Sequence, residues 1–389
     1  MRTYEEVLAA ANAGDPASQD LLGQAAEQSG RPQEALQWWA RAAKSGYPAA
    51  HARIGLWQLV GLHVEQNIGQ GVERIIAAAR AGDLFGLSLA GVIDAGGVGT
   101  PRDPARAIRW LVQAAKAGDA QAGCQLALLA GLDGPAAPMA LPALAGAAVA
   151  GFSPALRLIG ERDARTGSVD LDALGAAVDL AAWDAPLEHQ RLNDAPGVWM
   201  VPDVLPHWAC DYVSALAEPA LRRGMVVNEA GGESVEDIRA NRVMHFGLVD
   251  SDVILELINN RLADVAGMPP AHAEGLGVLH YRVGESYAPH VDYIPETPAN
   301  AAQLQARGQR VRTVLIYLNE DFEGGATEFP HLGLAFKPPK GSALVFDSVK
   351  PDGSLEPLSL HTGASPTRGE KWVISKWFRT RPLRPQAPA

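Results

Sequence analysis

Apolar residues in the first half of the chain fall repeatedly on one helical face, and each set ends at a glycine: Gly14, Gly46, Gly82, Gly118 and Gly151. Three and four residues before each glycine lie the pairs Ala10/Ala11, Ala42/Ala43, Ala78/Ala79, Ala114/Ala115 and Ala147/Ala148. Seven before lie Val7, Trp39, Ile75, Leu111 and Leu144. Offsets of three, four and seven mark one side of an α-helix. The alanines make that side small enough for a second helix to approach closely, and the glycine closes the helix in a left-handed turn. Nine residues after each glycine comes another small residue, Gly23, Gly55, Gly91, Ala127 or Gly160, which predicts the partner helix of a pair. The glycines are spaced 32, 36, 36 and 33 residues apart, a period that predicts a helical solenoid. A capping helix is expected over about residues 166–186.

After Pro186 the period stops. Residues 187–194 read as a linker, with turn formers and no periodicity. A short strand then precedes a helix starting near Pro206, and Val253, Ile254, Leu257 and Ile258 predict a second helix. From about residue 275 the pattern becomes β-like. Short apolar runs (GLGVLHY, RTVLIYLN, GLAFKP, SALVFD, KWVISKWF) alternate with Gly- and Pro-rich turns, which predicts a sandwich or barrel.

Composition narrows the function. The chain has 389 residues and a net charge of −11, with the acidic excess in both halves, so no basic nucleic-acid module is expected. Two cysteines, Cys124 and Cys210, exclude a disulfide framework or a Cys-rich zinc site and fit a reducing, cytoplasmic setting. The N-terminal residues lack a signal-peptide pattern. The longest uncharged stretch, 134–156, is broken by Pro135, Pro138, Pro142 and Pro154 and reads as soluble rather than membrane-spanning.

The repeats over about residues 1–165 resemble Sel1-like repeats, relatives of the tetratricopeptide repeat. The resemblance implies an all-α solenoid that offers a surface to a protein or peptide. Trp38, Trp39 and Trp110 are candidate anchors there, although Trp on a repeat helix is more often core.

Candidate chemistry lies on the strands. His290-Val291-Asp292 is a His-x-Asp pair, and His272-Ala273-Glu274 is another. On a strand such a pair points to one face, because the side-chain period is two. The first pair ends the phrase Tyr281-x-x-Gly284-x-x-Tyr287-x-Pro289-His290-x-Asp292. It is followed by Tyr317-Leu318-Asn319, by Gly324-Gly325-Ala326-Thr327-Glu328-Phe329-Pro330, by His361 and by Gly369-Glu370-Lys371-Trp372. This series, over about residues 195–382, resembles the prolyl 4-hydroxylase branch of the 2-oxoglutarate/Fe(II) dioxygenases.

The resemblance implies a double-stranded β-helix (jelly roll) with flanking helices at 195–389, following the solenoid at 1–186 and the linker. It implies His290, Asp292 and His361 as ligands of Fe(II), with three coordination positions open for 2-oxoglutarate and O₂. Lys371 is implied as the cation for the far carboxylate of 2-oxoglutarate, with Tyr281, Thr327 and Tyr317 as hydroxyl partners. Tyr287, Arg310 and Trp377 are implied substrate-groove residues, and ascorbate a further cofactor. His280 and His331 are expected not to be ligands. Some phrases depart from the family pattern: Pro366 lies five residues after His361 with no preceding cysteine, ANRVMHF replaces an Arg-Thr-Ser phrase, and Asp347 follows Phe346. These departures bear on the substrate more than on the iron. The implied activity is hydroxylation of prolyl residues in a peptide or protein bound with help of the repeats. The same chemistry on another side chain or a small molecule, and an adaptor with a spent oxygenase domain, are the alternatives.

Overall fold

The computed structural model describes residues 2–160, 162, 164–224, 226–227, 233–234 and 240–387. The chain divides into two compact units, one of Met1–Phe152, Asp163–Leu180 and Pro385–Ala389, the other of Ser153–Arg162 and Ala181–Arg384.

The first unit is the helical repeat. Its helices are α1 (Tyr4–Asn12), α2 (Pro16–Gln28), α3 (Pro32–Lys44), α4 (Pro48–Val60), α5 (Ile68–Arg80), α6 (Leu84–Gly96), α7 (Pro104–Lys116), α8 (Ala120–Ala130) and α9 (Ala137–Val149). Three of the repeat glycines stand in the sequence Ala-Gly-Asp, at 13–15, 81–83 and 117–119, and this has a simple physical basis. Gly14, Gly82 and Gly118 take φ of +100°, +81° and +94°, which favours a residue without Cβ. The next residue, Asp15, Asp83 or Asp119, then caps the following helix, its carboxylate accepting from the backbone N–H of Ser18, Gly86 or Ala122. The expected close approach is also present. A Cβ on Gly71 would lie 2.7 Å from the Gly55 carbonyl oxygen, and one on Gly23 would enter the Trp39 ring. Gly71→Ala is therefore expected to force α4 and α5 apart and cost about 1–3 kcal/mol. Urea denaturation followed by circular dichroism checks this, and an unchanged midpoint would show that the contact is slack.

Trp39 and Trp110 are core residues, and the Trp110 indole N–H donates to buried Asp94 at 2.8 Å. Trp38 is half-buried, with the Arg41 guanidinium over its ring. Two expectations change at the end of the repeat. Gly160 ends α10 (Ser153–Ile159) with nothing within 4 Å of its Cβ direction, and that helix belongs to the second unit. The expected capping helix shrinks to α11 (Leu171–Ala176) and a 3₁₀ turn at Ala181–Trp183.

In the second unit two helices, α12 (His207–Ala217) and α13 (Val253–Ala266), flank the strands, as the sequence predicts, and α14 (Ala301–Arg307) is a short addition. The strands are β1 (Gln190–Asn193), β2 (Val198–Val201), β3 (Arg222–Arg223), β4 (Val226–Val227), β5 (Glu233–Ser234), β6 (Arg242–Phe246), β7 (Leu276–Tyr281) and β8 (Tyr287–His290), then β9 (Arg310–Tyr317), β10 (Glu323–Gly324), β11 (Thr327–Phe329), β12 (Leu334–Phe336), β13 (Ala343–Asp347), β14 (His361–Gly363), β15 (Pro366–Arg368) and β16 (Lys371–Arg379). The residues expected to be a linker instead form β1, which pairs with β2 as the edge of the large sheet, because Gln190–Asn193 fold back on Val198–Met200.

The large sheet is antiparallel in the order β1-β2-β13-β9-β16-β7-β6-β3, and a smaller antiparallel sheet runs β12-β11-β14-β8. Phe329 and Phe336 from the small sheet pack with Phe346, Leu344, Tyr317 and Val373 from the large one, so a core fills the space between two layers. This is the expected jelly roll. Strand alternation in β16 sorts the two faces. Lys371, Val373, Ser375 and Trp377 line the interior cleft, whereas Lys376 points the other way and donates to Asn259 of α13 at 2.7 Å. Both cysteines are buried. Among the described residues, no helix is long and apolar enough to cross a membrane.

Candidate metal centre

His290 ends β8 and His361 begins β14, and the two are direct cross-strand partners in one sheet. His361 therefore comes from the neighbouring strand of the same sheet. Their rings sit 4.3 Å apart between centroids. Asp292 lies beyond the end of β8, so strand alternation alone does not aim it. It is 5% exposed and turned inward, with Oδ1 3.7 Å from His290 Nε2 and Oδ2 3.6 Å from His361 Nε2. The three ligand atoms all fall within 4.8 Å of one another.

The donor set is oriented from behind. His290 Nδ1 lies 2.8 Å from the Ala288 carbonyl and His361 Nδ1 lies 3.0 Å from the Ser359 carbonyl. A carbonyl only accepts, so each Nδ1 carries a proton and Nε2 is the nitrogen that each ring turns inward. Burial pushes the Asp292 carboxyl up, but the positive charge that the two imidazoles carry when protonated, together with the Thr313 hydroxyl, outweighs it and holds the carboxyl below its ordinary range. Two imidazoles and one carboxylate meeting at a point suit a divalent first-row metal, and the side facing the cleft is free of protein ligands among the described residues.

The cleft continues to Lys371, which starts β16 opposite Tyr281 of β7. Its ammonium is 2% exposed and sits 5.0 Å from the centre of the Tyr281 ring and 5.1 Å from that of Tyr317. Burial pulls the Lys371 pKa down to about 7, partly opposed by the Glu328 carboxylate. One glycine of the GGATEF phrase, Gly325, makes room for this cation. Gly324 and Gly325 both have φ of +67°, and a Cβ on Gly325 would strike the Phe322 ring and crowd the lysine stem. Thr327 lines the same cleft, while Tyr317 lies behind it and shares a hydrogen bond with the Thr327 hydroxyl at 2.9 Å.

The other candidates are placed as follows. The Tyr287 ring stacks on His290 at 3.5 Å, and Trp377 closes the cleft wall. Arg310 is not a free groove cation. It forms a two-pronged ion pair with Glu274, at 2.6 and 2.9 Å, and its guanidinium carbon lies over the Trp377 ring, 3.8 Å from its centre. Glu274 also accepts from Arg379, which removes the His272–Glu274 pair from the metal candidates. His280 turns to the opposite face and meets Glu370 at 2.9 Å, and His331 is exposed; neither joins the cluster. Asp347 pairs with Arg312, and the ANRVMHF phrase supplies β6.

Three lining or supporting residues escape the motif. Gly363, two residues after His361, faces Tyr281 so closely that a Cβ would lie 3.0 Å from its hydroxyl. Ser375 and Thr313 point to the site from β16 and β9. Alternation with Lys371 could have flagged Ser375. Nothing local pairs Thr313 with Asp292.

Comparison with known proteins agrees with this geometry. Residues 276–379 match the 2OG-Fe(II) oxygenase superfamily, and residues 17–47, 48–83 and 88–119 each match the Sel1 repeat. Probable prolyl 4-hydroxylase 8 of Arabidopsis thaliana is 36% identical over 202 residues, covering 47% of this chain and 68% of that protein. Among solved structures, the viral collagen prolyl hydroxylase of Paramecium bursaria Chlorella virus-1, as its 2OG complex, is 23% identical with a TM-score of 0.37, covering 47% of this chain and 96% of that one. A Sel1 repeat protein from Oxalobacter formigenes is 24% identical with a TM-score of 0.36, covering 46% and 73%. The chain carries Sel1 repeats and belongs to the prolyl 4-hydroxylase family of 2-oxoglutarate- and Fe(II)-dependent dioxygenases.

Proposed function

We propose that the second unit hydroxylates prolyl residues in an extended peptide or protein segment, and that the repeat unit helps to bind that target. The observation that carries this reading is the pair of aromatic walls at the triad, Tyr287 stacked on His290 and Trp377 backed by Arg310. Extended proline-rich segments pack against aromatic walls of this kind, because their backbone is already ordered before binding. The relative named above is itself called a prolyl 4-hydroxylase.

The residues divide the work. His290, Asp292 and His361 would hold Fe(II), and the Nδ1 bonds to backbone carbonyls orient both imidazoles with Nε2 toward it. Bound iron, with 2-oxoglutarate and O₂, supplies the oxidation that converts 2-oxoglutarate to succinate and CO₂ and hydroxylates a C–H bond. Lys371 binds the far carboxylate of 2-oxoglutarate in a dry pocket, where a charge-assisted hydrogen bond is strong. Tyr281, given room by Gly363, and Thr327, backed by Tyr317, orient the same carboxylate. The aromatic walls exclude water and hold the target. Arg310 acts through Trp377, keeping that ring upright.

The test is turnover of proline-rich peptides under air with Fe(II), with and without ascorbate. Succinate release together with one added oxygen on proline, mapped by fragmentation mass spectrometry, is the expected result. Oxygen found on another residue, or succinate formed with the peptide unchanged, sinks the prolyl assignment.

A further inference from the structure

We infer that Thr313 is the positioning residue that fixes how Asp292 meets the metal, by occupying one carboxylate oxygen so that the group binds end-on. The inference rests on the reading of His290, Asp292 and His361 as the metal site. It starts from a gap in the local structure. β8 ends at His290, so the backbone pairing that aims the first histidine does not extend to Asp292. The carboxylate could rotate about its side-chain bonds, and nothing in the sequence around it prevents that.

Thr313 supplies the missing constraint from the other sheet. It lies on β9 of the large sheet, between β13 and β16, and is fully buried. Its hydroxyl donates to Asp292 Oδ2 at 2.6 Å. A carboxylate is an acceptor only, so the direction of this bond is certain. Thr is stiff at its first side-chain torsion, which keeps the donor in place. Both oxygens face the triad, Oδ1 at 3.7 Å from His290 Nε2 and Oδ2 at 3.6 Å from His361 Nε2, but Oδ2 already spends a lone pair on Thr313, which leaves Oδ1 the better donor to a metal. End-on binding matters because a two-pronged carboxylate would consume one of the three positions that the cosubstrate and O₂ require. The bond also ties β9 of the large sheet to the segment that follows β8.

The experiment uses the full-length protein and Co(II) alone, whose visible absorption reports coordination. Thr313→Val keeps the shape and removes the donor. It is expected to weaken Co(II) binding about 10–100-fold, the range typical of outer-shell partners of metal ligands, and to change the visible band. Thr313→Ser restores the hydroxyl and is expected to restore both. Should the valine variant fail to fold, Thr313→Ala against Thr313→Ser gives the same comparison, because both lack the methyl group and differ by one hydroxyl. Unchanged affinity and spectrum in the valine or alanine variant overturn the inference. Equal loss in the serine variant overturns it as well, since packing rather than the hydrogen bond would then be responsible. Failure of the unsubstituted protein to bind Co(II) is a different result and rejects the metal site itself.

Discussion

Replacing Asp292 by alanine is expected to abolish succinate formation, and replacing His290 or His361 to do nearly as much. Loss of an outer-shell partner typically costs about 10–100-fold in metal affinity or activity, so loss of a ligand must exceed that. Asp292 is expected to be the worst of the three. It is the only carboxylate in the cluster, and so the only ligand that can balance the charge of a divalent metal there. Its removal leaves two neutral donors in a buried site. Asp292→Asn keeps an acceptor for Thr313 while losing the charge, and separates the two contributions. Metal content after dialysis, with turnover at saturating Fe(II), provides the check. Full turnover by the alanine variant would show that the triad is not the metal site.

The second large effect concerns Lys371. Its substitution by methionine, which keeps the length and removes the charge, is expected to raise the 2-oxoglutarate requirement about 10–150-fold, corresponding to the roughly 1.5–3 kcal/mol of a hydrogen bond to a charged group. Metal binding should be unaffected. The same lysine gives a pH signature. Burial has brought its pKa down to about 7, so below that pH the site is already charged and ready for a carboxylate. Above it, a proton must be taken up on binding. Affinity for 2-oxoglutarate is therefore expected to be flat below about pH 7 and to fall by up to tenfold for each further unit. The drop ends at the higher pKa that the bound carboxylate imposes. Titration calorimetry in buffers of different ionisation enthalpy detects the proton directly. Affinity independent of pH across this range, or a methionine variant with an unchanged requirement, would remove Lys371 from the cosubstrate site.

Much of this was legible in the chain, and the parts that were not share a cause. The repeat was readable because its signal is local. Helix faces recur with a fixed period, the glycine needs a left-handed turn, and the aspartate after it caps the next helix within three residues. The cleft face of β16 was readable for the same reason, since alternation alone sends Lys371, Ser375 and Trp377 to one side. The linker was misjudged because Gln190–Asn193 has no strong pattern of its own. It becomes a strand only by pairing with β2.

The site shows the same division. The sequence by itself determined the ligand types, the lysine and the glycines around it, because chemistry and backbone conformation restrict those positions to particular residues. It could not place His361 beside His290 rather than opposite it, since that depends on the register of two strands 71 residues apart. Nor could it show that Arg310 is bound to Glu274 or that Thr313 holds Asp292, because each pairing joins segments that only the folded sheets bring together. Local periodicity reports what a residue can do, and tertiary packing decides which partner it meets.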